Sequence, residues 1–290
     1  MSSEPVRLSL NSGAEVQALL QGSGAAHRPK CLLLHGNPRS LSDWQRVMAE
    51  LSAVADVAAI DLPGFGQSPR PSRDPDCMTL ARLAEHAVAV ADALGWHEPF
   101  FIVGHSHGGG VAQAAAVRHP RRVAGVVLVA TLGGAVHSSY RLLALPGAAG
   151  VVGVAGRLFG SSALRPFNRW LMRRVLKDIF APEQVPKSTA DRELMLLATR
   201  PEVLLSMVHV AQGRPCEQLL AAAPDIRCRV LFLHGDADAL VPARCARVLH
   251  DGIRDAGGRT EFQLLPASGH MLLHFQAPQV SASIARFVNS

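Results

Sequence analysis

Four apolar runs, KCLLLHG, VADVAAIDLPG, PFFIVGHS and RVAGVVLVAT, succeed one another through residues 30–131 and are separated by stretches of helical character. A strand with one wet face alternates apolar and polar residues. These runs do not alternate, so both of their faces must be covered. Buried strands that take turns with helices form a parallel sheet clad by helices on both sides. The expected helices are about Ser42 to Ser52, Thr79 to Leu94 and Gly108 to His119. Thr79 is a candidate N-cap and Gly95 a candidate stop. Upstream, VRLSLN and EVQALLQGSG alternate and read as an antiparallel pair at one sheet edge.

The rhythm stops at about Leu132 and resumes after residue 215 with CRVLFLHGDADALVP, a helix from about Ala243 to Ala256, TEFQLLPASGH, and a last helix from Met271 to Val288. The expected organisation is one α/β core, residues 1–132 and 216–290, with residues 133–215 inserted as a helical cap. Chain that leaves the sheet after one strand and returns before the next lies at the end where sites form, so the cap is expected over that end.

Within PFFIVGHSHGGG, Ser106 stands where a strand passes into a helix with almost no room to turn. Gly104 and Gly108 remove side chains where strand and helix would collide. The helix that follows aims its free N–H groups and positive end at the apex. That setting suits a nucleophile whose attack creates a negative oxygen.

A serine hydroxyl needs a base to take its proton and a carboxylate to orient that base. Two later strands end in suitable residues: VLFLHG runs into Asp236 and Asp238, and FQLLP runs into Ser268-Gly269-His270. The chain order is Ser, Asp, His, as expected for this kind of elbow.

LLLHGNP, DLPGFGQS, GHSHGG, HGDADALVP and SGH occur here in that order. In this, the chain resembles the α/β-hydrolase-fold serine hydrolases over nearly its whole length. The resemblance implies an α/β-hydrolase fold, Ser106 as nucleophile, Asp238 as triad acid and His270 as base. Asp238 is preferred to Asp236 because the family's loop usually reads G-x-x-D, here Gly235 to Asp238. The oxyanion hole then takes the backbone N–H of His107 and of Asn37, in the loop after HG. DLPGFGQS reads as a tight loop beside the site, and His35 and His234 as makers of structural hydrogen bonds. His105 and His107 are expected to pack or to line a pocket.

HGNP with Trp44 also resembles haloalkane dehalogenases of the same fold, which carry an aspartate at the elbow. Ser106 and His107 in place of Asp and Trp argue against dehalogenation, and the missing aspartate argues against epoxide hydrolysis.

The expected activity is hydrolysis of a carboxylic ester or thioester of a hydrophobic small molecule through an acyl-serine. Cleavage of a carbon–carbon bond in a vinylogous diketone, or cofactor-free perhydrolysis, would use the same residues. A ligand-binding protein on this fold would not need the full set.

No cofactor and no metal are expected. His270 and His274 are four apart, but no third ligand accompanies them. The five cysteines are scattered without a C-x-x-C pair, so free thiols are expected.

The net charge of +6 is confined to one segment. Residues 135–215 hold 11 basic and 5 acidic residues, and the rest of the chain holds 18 of each. With one Tyr and one Trp, that segment makes a poor stacking platform, so no nucleic acid is expected. Its sequence contains Leu142 to Gly160, apolar but broken by Pro and Gly. Arg165, Arg169 and Arg173 lie along one helical face, with Trp170 expected toward the core. No run is long enough to span a bilayer, and no basic-then-apolar leader opens the chain, so a cytoplasmic protein without stable membrane insertion is expected.

Overall fold

In the computed structural model, residues 4–25, 27–72, 74–133, 145, 147–148, 150, 170, 173, 176–183, 201–212 and 214–290 are described. Eight strands form one sheet: β1 (Val6–Ser9), β2 (Glu15–Gln21), β3 (Lys30–Leu34), β4 (Asp56–Ile60), β5 (Phe100–His105), β6 (Val123–Val129), β7 (Arg229–Gly235) and β8 (Thr260–Leu265). Their order across the sheet is β1-β2-β4-β3-β5-β6-β7-β8. β1 and β2 pair antiparallel at one edge, β2 also pairs antiparallel with β4, and every other pairing is parallel.

The period of two along each strand divides the core between the two faces. Leu32, Leu34, Phe100, Ile102, Val126, Leu128, Val230 and Phe232 point to one side. There they meet α2 (Leu80–Ala93), α3 (His107–Arg118) and, near the far edge, Leu249 and Ile253. Cys31, Leu33, Phe101, Val103, Val127, Val129, Leu231 and Leu233 point to the other. They pack on Val47, Met48 and Leu51 of α1 (Gln45–Leu51) and on Val280 and Ile284 near the chain's end. Burying an aliphatic or Phe side chain of this size contributes about 1.5–3 kcal/mol. This is why the central strands β3 to β7 are almost wholly apolar on both faces.

The helix α2 begins and ends where its sequence puts it. Thr79 accepts from the Arg82 N–H at the start of α2, and Gly95, just past its end, has φ +71°. Two expectations are corrected. Residues 41–44 form a 3-10 turn ahead of α1. The last helix is not continuous over 271–288. After α4 (Pro201–Gln212), α5 (Pro215–Ala222) and α6 (Ala243–Asp255), the chain ends in a short α7 (Leu272–Phe275) and then α8 (Ala277–Asn289). Pro278 has no N–H to give to the preceding turn, and its ring would collide with it. It is accommodated in the first turn of a new helix instead.

Most of residues 142–160, together with Arg165 and Arg169, lie outside the described residues. In the same segment residues 176–180 are helical, with Leu176, Ile179 and Phe180 buried and Arg173 and Lys177 exposed. Trp170 does not face the core: it is 52% exposed. All five cysteines are free. Among the described residues, no helix is long and apolar enough to cross a membrane.

Candidate active site

Ser106 follows the last residue of β5 and precedes the first of α3, at φ 53° and ψ −116°. A non-glycine residue pays for that conformation with strain. The surroundings hold it there: the Ser106 N–H donates to Val129 O (2.9 Å), and Ser106 O accepts from Gly109 N (3.0 Å) and Leu132 N (3.2 Å). A Cβ on Gly104 would run into the Gly108 carbonyl, and one on Gly108 into the Leu34 carbonyl. Strand and helix therefore approach more closely than any side chain permits. No side chain caps α3, which leaves its first N–H groups, His107's among them, facing the turn.

The loop after β3 lies against the serine. A Cβ on Gly36 would sit 3.1 Å from Ser106 Cβ. His35 braces this loop: its Nδ1–H donates to Gly36 O (2.7 Å) and its Nε2 accepts from Leu62 N (2.9 Å). Those two bonds define a neutral ring, and burial pushes its pKa down. Asn37, buried, comes next and is joined to Pro38 by a cis peptide.

Asp61, also buried, ties the loop after β4 to this one, accepting from Leu41 N (2.7 Å) and Gln67 N (2.6 Å). DLPGFGQS is thus the tight loop expected beside the site.

From the other side comes His270, 2% exposed. Its Nδ1–H donates to Asp238 Oδ2 at 2.8 Å. Asp238 Oδ1 accepts from Leu240 N (2.9 Å) and Val241 N (2.8 Å), and His234 Nε2 lies 3.3 Å from Oδ2 while bonding Val241 O (2.7 Å). Burial opposes the charge on Asp238. Facing His270 and the hydrogen bonds from His234 and His270 outweigh it, so its carboxyl is held below the usual carboxylate range. Asp236 instead bonds the loop after β8 two residues short of His270: its Oδ1 accepts from Ser268 N (3.3 Å).

His270 and His274 do not form a pair. His274 Nε2 turns to another carboxylate, Asp43, at 3.1 Å. Among the described residues, no group of three His, Cys, Asp or Glu could hold a metal ion.

The imidazole of His107 is 2% exposed, beside the Phe65 ring at 6.4 Å. Burial and the nearby His35 lower its pKa to about 3.

One cluster is not apparent in the sequence reading. Asp43 accepts from the buried Arg39 through both oxygens, from Nε at Oδ2 (2.9 Å) and Oδ1 (3.2 Å) and from Nη2 at Oδ1 (2.5 Å), as well as from His274. Arg39 belongs to the loop after β3 and His274 to the helix just after His270. Asp43 therefore links the two sides of the site. Burial opposes its charge, but Arg39 and His274 hold its carboxyl far below the usual range. The i, i+4 spacing of Arg39 and Asp43 is visible in the sequence, but their burial is not. Asp43→Ala takes away the bidentate partner of a buried guanidinium, and the expected loss of stability is about 3–5 kcal/mol. Urea unfolding measures it, and a loss below about 1 kcal/mol would place the pair in the surface class.

Residues 32–277 match the alpha/beta hydrolase fold family. The 2-hydroxymuconate semialdehyde hydrolase of Pseudomonas sp. (strain CF600) is 30% identical over 286 residues, covering 95% of this chain and 91% of that protein. Two solved structures share the fold. A thermophilic esterase from Thermogutta terrifontis has a TM-score of 0.72 at 21% identity, covering 99% of this chain and 98% of that one. A meta-cleavage product hydrolase from Pseudomonas fluorescens IP01 has a TM-score of 0.74 at 22% identity, covering 98% and 97%.

Proposed function

The chain belongs to the alpha/beta hydrolase family, and on that premise we propose that it is a serine hydrolase that cleaves a carboxylic ester or thioester of a hydrophobic small molecule. The observation that carries this reading is a serine in a strained turn at the carboxyl end of the sheet, one residue after the His105 that bonds the His270 carbonyl, together with the buried His270–Asp238 pair at 2.8 Å. Neutral His270 takes the Ser106 proton as Oγ attacks the carbonyl carbon. The N–H groups of His107 and Asn37 receive the developing oxyanion. The imidazolium, steadied by Asp238, gives its proton to the departing alcohol or thiol. Water then repeats the sequence on the acyl-serine and releases the acid. Residues 133–215 serve as a cap that shapes the acyl site.

A second reading, cleavage of a carbon–carbon bond in a vinylogous diketone, is favoured by the 30% identity to a 2-hydroxymuconate semialdehyde hydrolase. The same groups would act, with a carbon leaving group taking the His270 proton. The two readings separate in one assay: acyl esters of graded length against a vinylogous 1,5-diketone, with Ser106→Ala as blank. Ester turnover well above diketone turnover supports the first reading, and the reverse supports the second.

Because the oxyanion donor at His107 is a backbone N–H, His107→Ala keeps turnover within about tenfold. Steady-state kinetics check this. A folded but silent variant would give the imidazole itself a contact with substrate.

A further inference from the structure

We infer that His105 is a positioning residue for the base: its Nε2–H holds the backbone carbonyl of His270 and so fixes where that imidazole meets Ser106. The inference rests on the reading of His270 as general base. His105 ends β5, one residue before Ser106, so its backbone is part of the sheet. Its side chain is 1% exposed. Nε2 lies 3.0 Å from His270 O, and the two rings lie 4.9 Å apart between centroids at a 51° tilt. A carbonyl only accepts, so Nε2 carries the proton and Nδ1 is bare. On that bare side, a Cβ on Gly36 would sit 3.1 Å from Nδ1, the same distance as from Ser106 Cβ. One ring is thus wedged between the nucleophile's turn, the loop after β3 and the loop that carries His270.

The two contacts of His270 do different things. Its bond to Asp238 orients the imidazole about its own side-chain torsions. The bond from His105 anchors the main chain beneath it, at the residue itself, on a loop that leaves β8 and is held at Ser268 and Gly269 by other bonds. A base whose backbone drifts by about 1 Å loses on the order of 10² in rate, so such an anchor bears directly on turnover.

The anchor also has to stay neutral. His270 gains a proton during each acyl transfer, and a second imidazolium 4.9 Å away would oppose it. Burial and the neighbouring His270 lower the pKa of His105 to about 3. Of the other charged groups that face it, Asp43 raises that value and Arg39 lowers it, and the two are themselves paired. His105 therefore keeps its proton on Nε2 and remains uncharged while the base cycles.

His105→Leu removes the donor and retains an apolar side chain, whereas His105→Gln keeps an N–H at similar reach. The expected result for the Leu protein is a fall in kcat of about 10²-fold with KM within about twofold. The acidic limb of its kcat/KM profile should also move, because the base has shifted. The Gln protein should recover at least about tenfold of the lost kcat. A folded Leu protein with the kcat and acidic limb of the wild type would overturn the inference. Should the Leu protein not fold, nitrogen-15 imidazole spectra of the wild type decide, with His105 assigned from the signal missing in the Gln protein. A neutral Nε2–H form from pH 8 down to about pH 5 is expected. An Nδ1–H form, or titration inside that range, would overturn it. Reaction of Ser106 with a fluorophosphonate reports separately on the hydrolase reading, so failure of that reading and failure of the His105 assignment give different results.

Discussion

Ser106→Ala and His270→Ala each lower turnover by at least about 10⁴-fold, and combining them costs little more. In the proposed mechanism nucleophile and base work as one unit. Without the base, the hydroxyl stays protonated. Without the hydroxyl, the base has only water to activate. Asp238→Asn is expected to cost about 10³–10⁴-fold, since an amide can present its N–H to His270 and favour the wrong tautomer. Asp236→Asn should change turnover by less than about threefold, because Asp236 accepts from Ser268 N in the loop after β8, a bond that an amide oxygen can also accept. Steady-state kinetics on the four single variants and the Ser106→Ala/His270→Ala double variant check this. If Asp236→Asn were the severe one and Asp238→Asn the mild one, the pairing at 2.8 Å would not be the catalytic one.

The second large effect is on stability. His105 and His107 are buried and neutral, each with a pKa of about 3 in the folded protein against 6.5 for an ordinary imidazole. Between those values the unfolded chain binds a proton at each position and the folded chain does not. Linkage then makes stability rise with pH: the contribution is complete above pH 6.5 and is lost as pH falls toward 3. At pH 5 each ring costs about 2 kcal/mol, so the pair removes about 4 kcal/mol. His35, whose pKa burial also lowers, acts in the same direction. Against a usual total of about 5–15 kcal/mol, this is a large share. Urea unfolding at pH 7 and pH 5 measures it, and a free energy unchanged between the two would contradict the burial of these rings in neutral form. His105→Gln should remove roughly half of the difference, since its side chain takes up no proton.

The sheet was legible because its central strands are apolar on both faces. Leu32 and Cys31 fill opposite cores, and no polar residue interrupts the run. The turn at Ser106 was legible because two glycines mark where strand and helix touch. The preference for Asp238 over Asp236 drew on the resemblance, and the structure pairs Asp238 with His270. Other features were not read. The break before α8 has a signal in Pro278, but the apolar periodicity on either side of it masks the stop. The cluster of Asp43, Arg39 and His274 joins residues 231 positions apart, and nothing local in the sequence reports that they are buried together. The bond from His105 to a backbone carbonyl has no sequence signature either, because an acceptor of that kind exists at every position.

The central claim is that Ser106 is the nucleophile of a covalent hydrolase. Treating the protein with a fluorophosphonate, mapping the adduct by peptide mass spectrometry, and following ester turnover in the same sample tests it most directly. One adduct per chain is expected, on Ser106, with turnover lost in proportion to labelling, and no labelling of His270→Ala on the same time scale. Turnover that persists in a fully labelled protein, or labelling that spares Ser106 while activity is lost, would contradict it.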